Sequence, residues 1–431
     1  MRSIAILLLA VAGFIAFPTA SEPTSVQPRW YKGNTHTHTL WSDGNDFPEM
    51  VVDWYHKNGY QFLGLSDHNI LSRGDRWMET AAIRGRVKGG TQDPVARLRA
   101  RFGDATVKVR TRDGREQIRL RPLDEVRRLF EKPGAFLLVE AEEITDSFKS
   151  KQVHINALNL DAVIKPRHGD GVRETMRNNL AAVAEQAREL GRPLLAHLNH
   201  ANFHYSITAE DIAHVSQLGY FEVYNGHPAV NHEGDDIHAG DERAWDIANT
   251  IRIGDLKARP VYGVATDDSH AYHGLGGSTP GRGWIQVRAS SLTAAELIAA
   301  MDKGDFYSSS GVELTEMEYD GDGKALTIEV KPTAGATYTI RFIGTLEGIS
   351  RTGVPVVNEN GAVLRVTRRY ADGVGAVLHE VSGTRATYRL SGKELFVRAH
   401  VVSSRPHPNA SFKGQVEEAW TQPVGWERRV R

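Results

Sequence analysis

Cysteine is absent from the 431-residue sequence. Without it the chain cannot form disulfides, bind metal through thiolates or attack a substrate with a thiol nucleophile. The absence also suits an oxidising compartment, where an unpaired thiol would be a liability. Any metal site in this chain must therefore do without thiolate ligands.

A surplus of charge of either sign is also missing. The 52 lysines and arginines nearly balance the 53 aspartates and glutamates, so the formal net charge is −1. Chains that bind nucleic acid or anionic membranes usually carry a basic surplus, so the composition indicates neither partner. With 40% hydrophobic and 24% charged residues, the chain has the composition of an ordinary globular protein.

Long hydrophobic runs are missing too, apart from one at the N-terminus. Residues 4–17 are apolar; Arg2 precedes them, and Pro18, Thr19 and Ala20 follow. A basic head, an apolar stretch and small residues are typical of a secretory signal peptide, predicted here over residues 1–20. The alternative is an uncleaved anchor, although the run is short for a membrane span. We expect a periplasmic or secreted mature chain without a membrane span.

Two regions with different patterns make up the rest of the chain. Over residues 29–310, short apolar runs alternate with amphipathic segments, including a helix predicted at residues 174–190. This alternation predicts an α/β domain with a parallel sheet and covering helices, either open or closed into a barrel. Residues 311–431 contain short strands separated by turns, one of them predicted at 362–366, which indicates a sandwich-like β domain.

A basic insertion interrupts the first region at about residues 85–132. Its Asp113-Gly114 pair lies between two alternating runs and predicts a β-hairpin. Alternation places basic side chains on one face of each strand, and these are Lys108, Arg110, Arg112, Arg119 and Arg121. They form either a flap that holds an anion or a solvated basic edge that protects the strand from pairing.

Histidines and carboxylates lie where apolar runs end. In an extended segment, residues i and i+2 point to the same side, so His36 and His38 can bind one ion together. Strand ends of α/β folds are where active sites are built, and buried histidine is costly unless it is paired or bound. The groups at later run ends are His68, Glu142 or Glu143, His154, His197, Asp268 and His270. Together they predict a multinuclear metal site.

The order of these motifs resembles the polymerase-and-histidinol-phosphatase (PHP) superfamily of metal-dependent hydrolases. The matching elements are H-x-H with S-D-G, S-D-H, an acidic stretch, V-H, A-H and D-x-H, over roughly residues 29–310. The signal peptide, the insertion and the β-rich C-terminus look most like its exported branch, which includes carbaryl-hydrolase-like enzymes. The resemblance implies a distorted (β/α)7 barrel with two or three divalent ions, followed by the sandwich-like domain.

Position by position, the resemblance implies three sets of metal ligands. The first ion would take His36, His38, Glu143 and Asp268. Glu143 would bridge to a second ion held by His154 and His197, and a third would be held by Asp43, His68 and His270. The family's usual glycine before the bridging glutamate is Ala141 here, so Glu142 competes with Glu143, and the spacing favours Glu143. Because Asp43 is an oxygen donor where histidine is common, manganese and iron are candidates alongside zinc.

The predicted chemistry is hydrolysis without a side-chain nucleophile. Divalent ions lower the pKa of bound water toward about 7, and a hydroxide bridging two ions would attack the substrate. An exported phosphoesterase acting on a small anionic substrate is the leading interpretation, because phosphoester cleavage is the commoner activity in the family. Hydrolysis of carboxyl esters or aryl carbamates at the same site is the first alternative, and metal-dependent binding without turnover is the second.

Three further residues are candidates for work beside the ions. His200 and His227 lie on loops after strands, where either could protonate the leaving group or make only structural hydrogen bonds. Asp67 precedes the ligand candidate His68 and is expected to orient a ligand rather than to bind metal.

Overall fold

The computed structural model describes residues 27–87, 89–90 and 92–430. The predicted signal peptide lies outside these residues and stays a prediction. Within the described residues, no helix combines the length and hydrophobicity needed to cross a membrane.

The described residues form a mixed α/β structure with nineteen strands and eight α-helices. The strands are β1 Arg29–Asn34, β2 Phe62–Leu65, β3 Arg76–Glu79, β4 Val109–Arg112, β5 Arg115–Leu120, β6 Leu137–Phe148, β7 Lys151–Leu158, β8 Leu195–Leu198, β9 Tyr220–Asn225, β10 Tyr262–Thr266, β11 Trp284–Ala289, β12 Phe306–Ser309, β13 Leu314–Asp320, β14 Ala325–Val330, β15 Tyr338–Leu346, β16 Ala376–Ser382, β17 Arg385–Arg389, β18 Glu394–Pro406 and β19 Val416–Thr421. The helices are α1 Pro48–Lys57, α2 Thr80–Gly85, α3 Pro94–Phe102, α4 Leu123–Phe130, α5 Val172–Leu190, α6 Ala209–His214, α7 Asp241–Gly254 and α8 Ala294–Asp302.

Thirteen of the strands form one sheet, in the order β10-β9-β8-β7-β6-β2-β1-β11-β12-β19-β18-β15-β16. Strands β1, β2 and β6 are parallel neighbours, and so are β8, β9 and β10. Parallel neighbours present their carboxyl ends at the same edge of a sheet, where ligand sites form. The predicted α/β class is confirmed, and this edge carries most of the predicted site residues.

Strand β7 departs from the expected parallel arrangement. It pairs antiparallel with both β6 and β8. The chain leaves β6 at Phe148 and enters β7 at Lys151, so only two residues connect the strands. A connection this short joins only antiparallel strands, so β7 interrupts the predicted parallel sheet.

Helix α5 matches the helix predicted at residues 174–190. It ends at Gly191, whose φ of 59° places it in the left-handed conformation that commonly terminates helices. Met176 and Leu180 of α5 pack in one core with Val153 and Ile155 of β7. The helix thus covers the sheet beneath the strands that carry the site.

The predicted hairpin in the insertion is formed by β4 and β5. Asp113 and Gly114 connect them with φ values of 50° and 72°, the backbone that favours an Asp-Gly turn in hairpins. Strand β3 pairs with β5 to complete a separate three-stranded sheet.

Carboxylates form ion pairs with Arg119 and Arg121 of this hairpin. The Arg119 Nε lies 2.8 Å from Asp75, and the Arg121 Nε lies 2.8 Å from the buried Glu49. Arg110 donates to the Gln117 side chain at 2.8 Å. These contacts favour the basic-edge interpretation over the anion-holding flap.

Four of the C-terminal strands, β15, β16, β18 and β19, extend the main sheet, because β12 pairs with β19. A second sheet, β13-β14-β17, shares a hydrophobic core with it, in which Ile328 meets Phe342 and Val401. Residues 362–366 do not form the predicted strand. They belong to a loop in which the Arg365 Nη2 lies 2.7 Å from Asp211 of α6, so this segment braces a helix instead of joining a sheet.

Candidate metal centre

The first ligand segment, residues 36–44, is held between two neighbouring strand ends. The His38 amide donates to the Ser269 carbonyl at 3.0 Å, and the Ser66 amide donates to the Thr37 carbonyl at 2.9 Å. These backbone bonds join the ends of β1, β2 and β10. The histidines of this segment therefore meet the polar residues that follow the other two strands.

Four side chains form what we call the first group: His36, His38, Glu143 and Asp268. The Nε2 atoms of His36 and His38 each lie 3.4 Å from Glu143 Oε2 and 3.1 Å from Asp268 Oδ1. Both histidines and Glu143 are almost entirely buried. His36 Nε2, His38 Nε2 and Glu143 Oε2 have no hydrogen-bond partner among the described residues. Unpaired polar atoms in a buried site need a partner, and here they converge on one point.

The spacing of the first group fits a divalent ion. Ligand atoms at about 2.1 Å from an ion are separated by about 3.0 Å in an octahedron and about 3.4 Å in a tetrahedron. The four separations in the first group are 3.1 and 3.4 Å. The residues present therefore fit a divalent ion, because His36, His38 and Glu143 are close enough to one another to share it and Asp268 lies 3.1 Å from both histidines.

A second group forms on the other oxygen of Glu143. The His154 Nδ1 lies 3.0 Å and the His200 Nε2 3.3 Å from Glu143 Oε1. The His154 Nε2 lies 3.0 Å from the Gln152 side chain, an orienting contact of the kind that metal-binding histidines usually make. Asn199 also donates to Glu143 Oε1 at 2.8 Å. Glu143 thus lies between the two groups, as a bridging ligand would.

His197 lies outside this second group, although the sequence prediction placed it there. Its ring is fully buried and faces Glu222, with 3.9 Å between its Nδ1 and the carboxylate. His200, which was predicted as a proton donor, lies in its place. The backbone of His200 has a φ of 25°, an uncommon conformation for a non-glycine residue that turns the chain sharply after β8.

The third group consists of Asp43, His68 and His270. Asp43 Oδ1 lies 3.3 Å from His270 Nε2, and its Oδ2 lies 3.4 Å from His68 Nε2. The Asp43 side chain is 56% exposed, whereas the first group is buried. The ring of His38 stacks on that of His270 at 4.0 Å between centroids, so the groups adjoin. The centre therefore opens to solvent at the third group.

Glu142 and Glu143 point in different directions. Glu143 faces the histidines, whereas Glu142 Oε1 accepts a hydrogen bond from the Ile164 amide at 2.6 Å. Burial raises the pKa of Glu142 to about 7. Adjacent residues of a strand point to opposite faces, so only one of the two can enter the centre.

Burial and charge set the protonation of the three groups. Burial and a neighbouring histidine lower the pKa of His38 to about 3, which leaves its ring neutral. Burial alone would raise the pKa of Glu143, but the surrounding histidines hold it well below its usual value. Burial would lower the pKa of His36, but three carboxylates raise it well above its usual value. The carboxylates therefore pair with protonated histidines such as His36, and metal ions could replace the protons that these rings hold.

Glu222 orients the first group and was missed by the sequence prediction. It is buried in the middle of β9, and its Oε1 lies 2.7 Å from His36 Nδ1. A carboxylate behind a histidine fixes the ring so that the other nitrogen faces the ion. The detectable signal was a glutamate between Phe221 and Val223 in an apolar strand, where a carboxylate is costly unless it is bound.

Asp67 organises the loop that carries the first histidines. It accepts hydrogen bonds from the Thr39 amide at 2.9 Å and from the Ser42 hydroxyl at 2.6 Å. In the same loop, a Cβ on Gly44 would lie 2.6 Å from the backbone of His38, so only glycine fits there. Asp67 is thus a positioning residue, and the Gly44 turn allows Asp43 to approach the third group.

His227 lies beside the open end of the centre. Its ring centroid is 5.8 Å from that of His270 and 5.7 Å from that of Phe203. The Ala229 amide donates to His227 Nδ1 at 3.1 Å. A neutral ring with Nδ1 as acceptor carries its proton on Nε2, and this tautomer is assigned from the hydrogen bond.

Comparisons with known proteins gave distant structural neighbours, among them two solved structures. No family model matches the chain, and no curated protein does. One solved structure is a two-domain protein from Bacteroides vulgatus containing a predicted PHP-like metal-dependent phosphoesterase, with 11% identity and a TM-score of 0.38 over 94% of this chain and 99% of that one. Another, from Bifidobacterium adolescentis, is predicted to be a metal-dependent phosphoesterase, with 12% identity and a TM-score of 0.30 over 59% of this chain and 94% of that one.

Proposed function

We propose that this chain is an exported metal-dependent phosphoesterase of the PHP superfamily, from the branch that includes carbaryl-hydrolase-like enzymes. The observation that carries the proposal is the convergence of buried histidines on the two oxygens of Glu143, with the unpaired ring nitrogens of His36 and His38 at Oε2. Export is supported by the signal-peptide pattern of residues 1–20 and by the lack of cysteine.

The proposal divides the chain into three parts. Residues 1–20 are the signal peptide, residues 29–310 a PHP-type (β/α)7 catalytic barrel, and residues 311–431 a sandwich-like domain. Support for the barrel comes from the two sets of parallel strands with the site at their carboxyl ends. Support for the sandwich comes from the core shared by its two sheets.

The three groups would hold two or three divalent ions. The first group would bind one ion, and Glu143 would share a second with His154 and His200. The third group would bind another at the solvent-exposed end. When bound, such ions supply Lewis acidity and a water of lowered pKa, and manganese, zinc and iron all suit these nitrogen and oxygen ligands.

The remaining residues position the ligands and move a proton. Glu222 and Asn199 hold His36 and Glu143 in place. The substrate would enter at the third group, where His227 lies beside His270. His227 Nε2–H would donate its proton to the oxygen of the leaving group.

Phosphoester cleavage is the reaction that this arrangement favours. A cluster that can hold several cations would offer positive charge to both the attacking and the leaving oxygen. Phe203 lies 5.2 Å from His200 and 5.7 Å from His227, and it offers an apolar wall to a leaving group. Aryl phosphates are therefore suitable test substrates.

One comparative assay tests the proposal. The purified chain is loaded with manganese, zinc or iron and given p-nitrophenyl phosphate mono- and diesters, 1-naphthyl acetate and a 1-naphthyl carbamate. We expect phosphoester turnover that is lost in the His36→Ala/His38→Ala variant. His168→Ala is the matched control, because that side chain is 76% exposed and pairs with Asp146 outside the three groups.

The other possible results of this assay would each point to a different function or site. Turnover of the naphthyl substrates alone would overturn the phosphoesterase proposal in favour of an ester or carbamate hydrolase at the same site. Metal binding without turnover of any substrate would favour a binding protein. Phosphoester turnover that persists in the double histidine variant would place the reaction elsewhere in the chain.

A further inference from the structure

Arg76 at the start of β3 and Arg86 directly after α2 contact the loop that carries Asp43. The Arg86 Nη1 donates to the Gly44 carbonyl at 2.6 Å, one residue from Asp43. The Arg76 guanidinium lies over the Trp41 ring, 5.6 Å from its centroid. Both arginines therefore lie against residues 41–44, on the solvent-exposed side of the metal centre.

Arg76 and Arg86 lack the carboxylate partner that most other arginines nearby have among the described residues. Among the described residues, the arginines at 73, 84, 97, 99, 101, 112, 115, 119, 121, 127 and 128 each form an ion pair with a carboxylate. Arg110 has no such pair but donates to Gln117 and stacks on Trp77. Arg76 and Arg86 have no carboxylate partner within the described residues.

Both arginines have guanidinium N–H donors that remain free to bind an anion. A guanidinium has five N–H donors, and the Gly44 carbonyl takes only one nitrogen of Arg86. Burial and the nearby charge of Arg76 lower the pKa of Arg86, while Asp43 raises it, so the two arginines and the aspartate act on one another. Guanidinium groups stay charged in proteins, and two of them beside an open site attract an anion with several oxygens.

We propose that Arg76 and Arg86 form an anion subsite that holds a phosphate group of the substrate at the open end of the metal centre. This inference rests on the proposed phosphoesterase function and deepens it. In the sheet of β3 and β5, Arg76 lies opposite Leu120, on the face away from Arg119 and Arg121. Binding at the subsite would orient the phosphate group toward the third group, because Arg86 and Asp43 are joined through the same turn.

Binding of inorganic phosphate to the metal-loaded full chain tests the subsite directly, by isothermal titration calorimetry. We expect Arg76→Gln to weaken phosphate binding about tenfold, as does loss of one hydrogen bond to a charged group, and Arg86→Gln to do the same. Arg84→Gln is the matched control, because Arg84 lies in α2, two residues before Arg86, but is paired with Asp93. The affinity of the Arg84→Gln variant for phosphate should stay within twofold of that of the wild type.

Metal content separates anion binding from a structural effect. Arg86→Gln removes a bond to the loop, whereas Arg76 makes no hydrogen bond to it, so Arg76→Gln should retain the full metal content by mass spectrometry. Unchanged phosphate affinity in the Arg76→Gln/Arg86→Gln variant, or an equal loss in Arg84→Gln, would overturn the subsite. If the wild type hydrolyses only naphthyl esters, the proposed function fails, while a phosphate affinity weakened by Arg76→Gln would still support the subsite.

Discussion

Replacing Glu222 with glutamine should weaken metal binding, although Glu222 belongs to none of the three groups. Its Oε1 accepts from His36 Nδ1 and the Thr266 hydroxyl, and its Oε2 accepts from the His200 amide and the Asn225 side chain, each at 2.7 Å. All four partners are donors. A glutamine side chain has one acceptor oxygen and one donor nitrogen, so in either orientation two of the four partners would face an N–H group.

The magnitude of the effect follows from these contacts. Loss of an orienting partner behind a metal ligand typically weakens metal affinity about 10–100-fold. Leaving two buried donors unsatisfied costs about 1–3 kcal/mol each, so the free energy of unfolding should fall by about 2–6 kcal/mol. Both changes should occur together, because the same carboxylate holds His36 and the turn at His200.

Metal affinity can be measured by competition with a chelator, and stability by urea unfolding of the same preparations. Glu189→Gln is the control, because Glu189 is exposed on α5, and both quantities should match the wild type. A Glu222→Gln variant with the metal affinity of the wild type would refute the orienting role. A loss of stability with unchanged affinity would assign Glu222 to folding alone.

Three further predictions concern other parts of the structure. His200→Ala should lower the metal content by about one ion per chain, whereas His197→Ala should keep it, as measured by mass spectrometry; the reverse pattern would restore His197 as the ligand. Gly44→Ala places a Cβ 2.6 Å from the His38 backbone and should cost about 1–3 kcal/mol of stability together with metal affinity, which thermal unfolding and chelator competition would detect. His400 is buried with its two nitrogens 3.2 Å from two glutamates; burial would lower its pKa, but the glutamates raise it from 6.5 to about 9. The folded state therefore binds more protons between these pH values, so this stabilisation is complete below pH 6.5 and lost as the pH rises through about 9; urea unfolding should show it, and His400→Gln should abolish this part of the pH dependence.

The strands that carry the site could be predicted because each is a short apolar run that ends in a polar residue. The apolar run at residues 62–65 forms β2, and the run at residues 153–158 lies within β7. The hairpin of β6 and β7 was not predictable in the same way. β6 continues through Glu142, Glu143 and Thr145, and a polar stretch of this kind in a sequence indicates a loop until its hydrogen-bond partners are known.

The C-terminal region shows how tertiary contacts override local pattern. Residues 362–366 alternate like a strand, yet Val363 is 69% exposed, and Arg365 is held by Asp211 of α6. Alternation identifies a strand only when one face is buried against a sheet, and here that condition fails. The continuity of the main sheet through β12 and β19 also depends on long-range pairing that local periodicity cannot report.

Within the site, the sequence located the ligand segments better than the individual ligands. In Ala196-His-Leu-Asn-His200 the A-H motif indicated His197, but the chain turns at His200, whose φ is positive, and His200 is the histidine that meets Glu143. Asp268 has a similar backbone, with a φ of 47°. Such conformations are costly for non-glycine residues and cluster at functional sites, but no residue pattern predicts them.

The metal content of the purified wild-type chain, measured by inductively coupled plasma mass spectrometry, tests the central claim most directly. After loading and removal of free metal, the account predicts two or three divalent ions per chain, retained in His168→Ala and largely lost in His36→Ala/His38→Ala. Less than one ion per wild-type chain, or equal retention in the double histidine variant, would contradict it.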